Sequence, residues 1–339
     1  MSNYWERRFN ALQSKDVRKA EQSVAEIERA YNRAIQEVER DLRTWYSRFA
    51  SNNEIDITEA RKFLTANELE EFKWTLDDYT KAAKASAFDA RYIKQLENAS
   101  ARVHISRLES IELQLRQKAE GLSAMRDSSL TRLSGGLFED RYYRTAYETH
   151  MGLGIGWDVA RLDDRLIERM ISKPWASDGI NFSERIWRDR DRLVGTLNTE
   201  LTQSIIMGRA PDEVIKSIAG QFQTSKNVAG RLVMTESAYF ASEGQEKAFK
   251  DLDVEEYEIV ATLDGDTSDI CQSLDGKVYK MRDYKPGVTA PPFHPWCRST
   301  TVPYFEDLGG ERIARGEDGE TYMVPSDMAY KEWREKSIK

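Results

Sequence analysis

Cysteine, histidine and proline are scarce in this chain, and each scarcity removes a class of protein. Among 339 residues there are 2 Cys, 3 His and 8 Pro. Two cysteines cannot form the disulfide framework with which small secreted domains compensate for thin cores. Three histidines leave little material for imidazole-based catalysis. No apolar run approaches the roughly 18 residues of a spanning helix, so no membrane partner is expected. The N-terminus, Met1-Ser-Asn-Tyr-Trp-Glu-Arg-Arg8, has no apolar signal-peptide core. The protein is therefore expected to be made and kept on the cytosolic side, with Cys271 and Cys297 as thiols. Surplus positive charge is missing too: 50 Lys+Arg face 58 Asp+Glu, a net charge of -8. That balance argues against a sequence-independent coat on nucleic acid, which works by displacing counterions with Lys and Arg. What is present, 40% hydrophobic and 10% aromatic residues, supports a packed core. The length permits two domains, or an elongated helical body with an appended module.

Helical periodicity dominates most of the chain. Val17, Val24, Tyr31, Val38 and Trp45 recur every seventh residue, with Ala20, Ile27 and Ala34 between them, an a/d stripe. Leu42 and Phe49 sit one place beyond the strict d position, so the stripe drifts toward the period of a straight helix. The reading is a long bundle helix over about 11–49, with a two-stranded coiled coil as the alternative. Thr58 and Thr65 are candidate helix starts, the second with a capping-box Glu68. Leu69, Phe72, Leu76, Tyr79 and Ala83 then mark an amphipathic face. Leu108, Ile111, Leu115, Ala119 and Leu122 mark another, on a helix over about 101–122, with His104 as an ordinary helix-face histidine.

Gly152-Leu-Gly-Ile-Gly156 has the wrong spacing for a dinucleotide loop and follows a helical segment, so it reads as a linker or turn. From 183 to 201, Ile186, Leu193, Leu197 and Leu201 line one helix side. Arg185, Arg188, Arg190 and Arg192 alternate there with Asp189 and Asp191, which reads as a solvated face. Pro211 suits a first helical turn, and helices are expected over 211–221 and 225–250. Beyond Val254 the pattern changes to short strands at 257–263, 277–281 and 298–302. Asp275-Gly276 marks a turn, and Pro291-Pro292-Phe-His294-Pro295 a rigid loop. The expected fold class is α+β, predominantly α: an elongated helical bundle or coiled-coil-like body followed by a small β-containing module. The expected domains are 1–150, an N-terminal long-helix region; 151–253, a helical middle region; 254–305, the small β module; and 306–339, a C-terminal arm with one short helix near 328–336.

Chemistry concentrates in one place. Both cysteines and one of the three histidines, Cys271, His294 and Cys297, fall inside the β module. Two thiolates, an imidazole and an acid from the Asp264-Gly-Asp266 loop make a donor set for tetrahedral zinc. A module with few core residues gains stability from such a cross-link. The alternatives are two buried thiols acting as small hydrophobes beside a histidine fixed by its prolines, and a disulfide. With only three protein ligands, the fourth position would take water and the site would suit a metal-dependent hydrolase or transferase. Partner motifs for that chemistry are absent from the sequence: there is no His-Glu-x-x-His, no zinc-deaminase signature, no phosphate loop and no nucleophile elbow.

The segments Thr262-Leu-Asp264-Gly-Asp266-Thr-Ser-Asp-Ile-Cys271-Gln-Ser-Leu-Asp275-Gly276-Lys-Val-Tyr279 and Ala290-Pro-Pro292-Phe-His294-Pro295-Trp-Cys297-Arg298-Ser resemble the phage head morphogenesis family. These are minor capsid proteins named after the F protein of phage Mu. Upstream, Pro174-Trp175, Asp178-Gly179, Phe182-Ser-Glu-Arg-Ile-Trp187 and Met234-Thr-Glu236 look like the version in tailed phages of Gram-positive hosts. The resemblance covers about 170–305. It implies a structural protein rather than an enzyme, present in few copies in the virion, inside the head near the portal vertex, and in the host cytoplasm during assembly. Its implied partners are the portal protein and the inner capsid shell or scaffold, with at most weak contact to genomic DNA. Its implied role is in procapsid assembly and in packaging or ejection of the genome. By the resemblance, Asp266, Cys271, His294, Cys297 and Arg298 are signature positions, with Asp264, Asp275, Gly276, Pro292 and Pro295 in the same framework. The chain has Cys297-Arg-Ser where many relatives have Cys-Arg-Cys, so a fourth zinc ligand would have to come from Asp264 or Asp266. Some relatives carry toxin or ADP-ribosyltransferase domains at the C-terminus, for which 306–339 is too short.

Overall fold

The structure is a computed structural model and describes residues 4–51, 107–153, 159, 161–207, 209–262, 264, 267–305, 311–315 and 321–325. The helix starts expected at Thr58 and Thr65, the face from Leu69 to Ala83, His104, Asp266 and the short helix near 328–336 lie outside the described residues. Among those described, the helices are α1 (Tyr4–Ser51), α2 (Arg107–Leu153), α3 (Asp164–Ser172), α4 (Phe182–Met207), α5 (Pro211–Asp251) and α6 (Asp269–Leu274). The strands are β1 (Glu256–Val260), β2 (Val278–Lys280), β3 (Thr300–Tyr304), β4 (Glu311–Arg315) and β5 (Thr321–Pro325). The chain is thus α+β and predominantly helical, with a small antiparallel sheet toward its C-terminus, in accord with the sequence pattern. It divides into two compact units, one of residues 1–22, 131–179 and 232–339, the other of 23–130 and 180–231.

Among the described residues, the second unit is built of helices. The α1 stripe (Val24, Ile27, Tyr31, Ala34, Val38 and Trp45) is buried, as are Ile111, Leu115, Ala119 and Leu122 of α2 and Ile186, Leu193, Leu197 and Leu201 of α4. The seven-residue repeat therefore packs within the chain. The Tyr31 hydroxyl lies 2.9 Å from Ser225 Oγ on α5 and accepts a 3.1 Å hydrogen bond from buried Arg126 on α2. Helix α4 opens with a reciprocal capping box: Glu184 N–H donates to Asn181 Oδ1 at 2.9 Å, and Asn181 N–H donates to Glu184 Oε2 at 3.3 Å.

Two expectations change here. The Arg/Asp alternation at 185–192 is not wholly solvated: Arg188 and Arg192 are exposed, but Arg190 is buried and donates to Glu120 of α2. A fully buried carboxylate on an otherwise apolar stripe requires such a countercharge. The break expected between 221 and 225 is also absent, and α5 runs on through it. Its polar side chains are satisfied in helical conformation, Thr224 by the Gly220 carbonyl at 3.0 Å and Ser225 by Tyr31. Helix α2 is likewise continuous from 107 through 153 and takes in Gly152, while Gly154 and Gly156 of the expected linker lie outside the described residues.

The first unit carries the sheet. Its core joins Trp5, Phe9 and Leu12 of α1, Ala146 of α2 and Phe249 of α5 to Tyr257, Ile259 and Val260 of β1, Met281, and Val302 of β3. Strand order is β2-β1-β3, all antiparallel, with Tyr257 opposite Tyr279 on one side and Pro303 on the other. Alternation along β1 sends Tyr257 and Ile259 inward. Beneath the sheet runs a buried polar chain. Arg141 of α2 donates to Asp16 at 2.8 Å, Gln13 at 2.5 Å and Gln245 at 3.1 Å, and Gln245 Nε2 donates to the Thr301 carbonyl of β3 at 2.6 Å. Strand and helices are thereby fixed in register through hydrogen-bonding groups with few alternative partners. Separately, β4 and β5 form an antiparallel hairpin. It falls within the stretch expected to be a turn-rich arm.

Candidate metal centre

The site is built at the end of β1. Helix α6 starts where Ser268, in extended conformation, accepts the Cys271 N–H on its Oγ at 3.3 Å. It stops at Asp275, whose N–H donates to the Cys271 carbonyl at 3.0 Å and whose Oδ1 accepts the Ala261 N–H at 2.8 Å. The chain then reverses at Gly276, whose φ of 72° explains the glycine. These bonds suspend Cys271 beneath the strand end. The opposing wall is the proline loop, which contains the cis Pro291-Pro292 peptide and ends in a turn closed by Cys297 N–H on the His294 carbonyl at 3.2 Å. Trp296 occupies the left-handed region at φ 65° inside that turn and is exposed.

The three sequence-predicted donors converge. Cys271 Sγ is 3.1 Å from His294 Nε2 and 3.8 Å from Cys297 Sγ, and the three donor atoms lie within 4.8 Å of one another. Both sulfurs are buried and make a small core with Ala261 and Phe293. His294 Nδ1 lies 2.7 Å from the Pro295 carbonyl. A carbonyl only accepts, so Nδ1 carries a proton, and Nε2 is the ring atom that faces the sulfurs. This is the second-shell arrangement that orients a metal-binding histidine. A tetrahedral zinc with Zn–S bonds of about 2.3 Å sets its two sulfurs about 3.8 Å apart, which is the separation found. The donor set fits zinc.

Electrostatics separates the two thiols. The hydrogen bond from Cys297 is the main reason that Cys271 falls to about 4; burial opposes it, and Ser268, Ser299 and His294 reinforce it. The same bond, together with burial, pushes the Cys297 thiol upward. The pair thus holds one proton, with the negative charge on the sulfur facing His294.

The acidic loop divides. Asp264 lies within hydrogen-bonding distance of Arg298, whose two guanidinium nitrogens donate to its two oxygens at 2.6 and 2.7 Å. The carboxylate is engaged in a bidentate clamp rather than aimed at the sulfurs. Asp266, the other acid proposed as a ligand, lies outside the described residues. Asp275 acts through its Oδ1 on Ala261 N–H and its own N–H, Gly276 through its backbone conformation and Pro295 through its carbonyl. Sequence reasoning did not single out Ser268 and Ser299, although the Ser268-x-x-Cys271 spacing is a capping signal. Nor did it pair Trp175 with Glu236: the Trp175 indole stacks on Tyr239 at 4.6 Å and donates to Glu236 at 2.9 Å.

Residues 195–302 match the family described as Phage Mu protein F like protein. The matched segment runs from the middle of α4 into β3, about a third of the chain, and contains all three donors; over that segment the chain is similar to a phage head morphogenesis family. No curated protein and no solved structure matches the chain. Among the described residues, no helix is long and apolar enough to cross a membrane.

Proposed function

We propose that this chain is a minor head protein of a tailed phage. It sits inside the head near the portal vertex, binds the portal protein and the inner shell or scaffold, and serves procapsid assembly and the packaging or ejection of DNA. The observation that carries this reading is the family match over 195–302, which coincides with the folded sheet and its Cys/His cluster. In this account residues 1–150 and 151–253 supply helical docking surfaces. Residues 254–305 form a module braced by structural zinc on Cys271, His294 and Cys297, and 306–339 an arm.

A brace suits the site better than an enzymatic centre does. Both sulfurs are buried, and the depression beside them, bordered by Thr267, Ser268, Trp296 and Arg298, has about 20 Å³ of space, room for about one water. Contact with DNA is at most weak in this reading, since exposed Arg188 and Arg192 flank exposed Asp191. The test is co-expression with the portal protein of the same phage, followed by affinity capture of the portal. Retention of this chain through a high-salt wash is expected; its loss at every salt concentration contradicts the proposal.

A further inference from the structure

The sulfur pair has a second chemistry that does not depend on the head-protein reading. Cys271 and Cys297 come from different elements, α6 and the turn before β3, and are 26 positions apart, yet their sulfurs are 3.8 Å from each other. A disulfide requires about 2.05 Å, a closure of about 1.8 Å. Three further features favour it. The Cys297 N–H to His294 carbonyl bond holds the turn beneath Cys297. His294 Nε2 lies 3.1 Å from Cys271 Sγ, so the imidazole borders the attacking sulfur. The depression bordered by Thr267, Ser268 and Trp296 reaches Cys271 and admits a molecule of water's size, whereas a bulky disulfide oxidant has no such access.

We propose that Cys271 and Cys297 are a peroxide-oxidised thiol pair, forming an intramolecular disulfide whenever no metal occupies the cluster. In the first step the Cys271 thiolate attacks one oxygen of hydrogen peroxide. The S–O bond forms as the O–O bond breaks, and the departing hydroxide takes a proton, giving water and the Cys271 sulfenic acid. In the second step Cys297 sulfur attacks the Cys271 sulfur and its thiol proton leaves with the hydroxyl group as a second water. Two thiols and one peroxide thus become one disulfide and two waters. Metal and disulfide are mutually exclusive because both use the same sulfur electron pairs. The brace would therefore persist from the reducing host cytosol to an oxidising medium with a change of cross-link rather than a loss of it.

The experiment uses the full chain, stripped with a chelator and treated with a small excess of hydrogen peroxide. Thiol alkylation is followed by tryptic mass mapping. The expected result is a fall from two alkylatable thiols per chain to none, with peptide 251–277 covalently joined to peptide 283–298 and lighter by two hydrogens than their sum. Persistence of both free thiols, separate over-oxidation of each, or linkage only between chains would overturn the proposal. A Cys297→Ser chain serves as the control for folding and attack. It is expected to accumulate a Cys271 sulfenic acid captured by a dimedone probe, and no capture would overturn the first step. Zinc added before peroxide tests the metal reading separately: disulfide in the stripped chain without zinc protection sinks the metal site alone, and unreactive thiols in the stripped chain sink this proposal alone.

Discussion

Arg141 and Asp16, 125 positions apart, form an ion pair at 2.8 Å with side chains only 1% and 7% exposed. Burial pushes the Asp16 carboxyl up, and Arg141 pulls it back without cancelling that rise. The pair is therefore better read as fixing which groups of α1, α2 and α5 meet than as a net source of stability. Arg141→Ala strands a buried carboxylate together with Gln13 and Gln245, and is expected to cost about 3 to 5 kcal/mol in urea unfolding. Arg141→Met combined with Asp16→Leu is expected to cost less than Arg141→Ala alone. A larger loss in the double variant would show that the ion pair itself stabilises the unit.

Gly244 marks a close approach of α5 to α2. A Cβ there would run into the backbone carbonyl of Phe138, and backbone cannot yield as a side chain can. Gly244→Ala is expected to destabilise the chain by about 2 to 3 kcal/mol despite the gain in helix propensity. Gly195, with open space around it, provides the comparison: Gly195→Ala is expected to be neutral or stabilising by up to about 1 kcal/mol. Thermal unfolding of both variants decides between packing and propensity.

Stability is also expected to depend on pH through Glu243. Burial, and next the nearby charge of Glu246, push its carboxyl up to about 7, against Lys173, Lys250 and a hydrogen bond with Tyr239. Between its ordinary value near 4.5 and 7, the folded chain holds a proton that the unfolded chain releases. The unfolding free energy therefore falls as pH rises through that window, by roughly 3 kcal/mol, and levels off above it. Glu243→Gln is expected to flatten the profile; an unchanged slope in that variant would assign the dependence elsewhere. Asp140 acts in the opposite sense and in another window. Burial would raise it, but hydrogen bonds from Lys19 and Arg144 hold it at about 2. Its contribution is present above about pH 4 and is lost as pH falls toward 2.

Helix periodicity was legible because most helices bury one face: Ile111, Leu115, Ala119 and Leu122 point where their spacing places them. What escaped was helix continuity. The helix expected to end near Leu122 runs on through Gly135-Gly136 in α2, and the gap expected between Gln221 and Ser225 in α5 is helical, because tertiary contacts hold a helix that local propensity opposes. Gly135 stays because Ile167 and Ile171 of α3 close on it, a contact that no local pattern announces. In the site, Cys271, His294 and Cys297 were legible from rarity alone. The role of Asp264 was not, since its partner Arg298 lies across a loop and both residue types suit many roles. Arg190 misled for a related reason: a charge run looks solvated until a buried acid, Glu120, faces it.

The zinc brace predicts a countable ligand. Native mass spectrometry with elemental analysis is expected to show one zinc per chain, and none after His294→Ala. The loss should be accompanied by faster proteolysis within 254–305, where the two cysteines then keep only their packing with Ala261 and Phe293. Unchanged zinc content in His294→Ala would place the metal elsewhere, and absence of zinc from parent and variant alike would leave the loop held by packing.

The most direct measurement of the central claim is the copy number of this chain in purified procapsids, assembled from capsid, scaffold and this protein with or without the portal. The account predicts a few copies per particle when the portal is present and a loss of most of them when it is omitted. Equal incorporation without the portal, or no incorporation in either case, would contradict it.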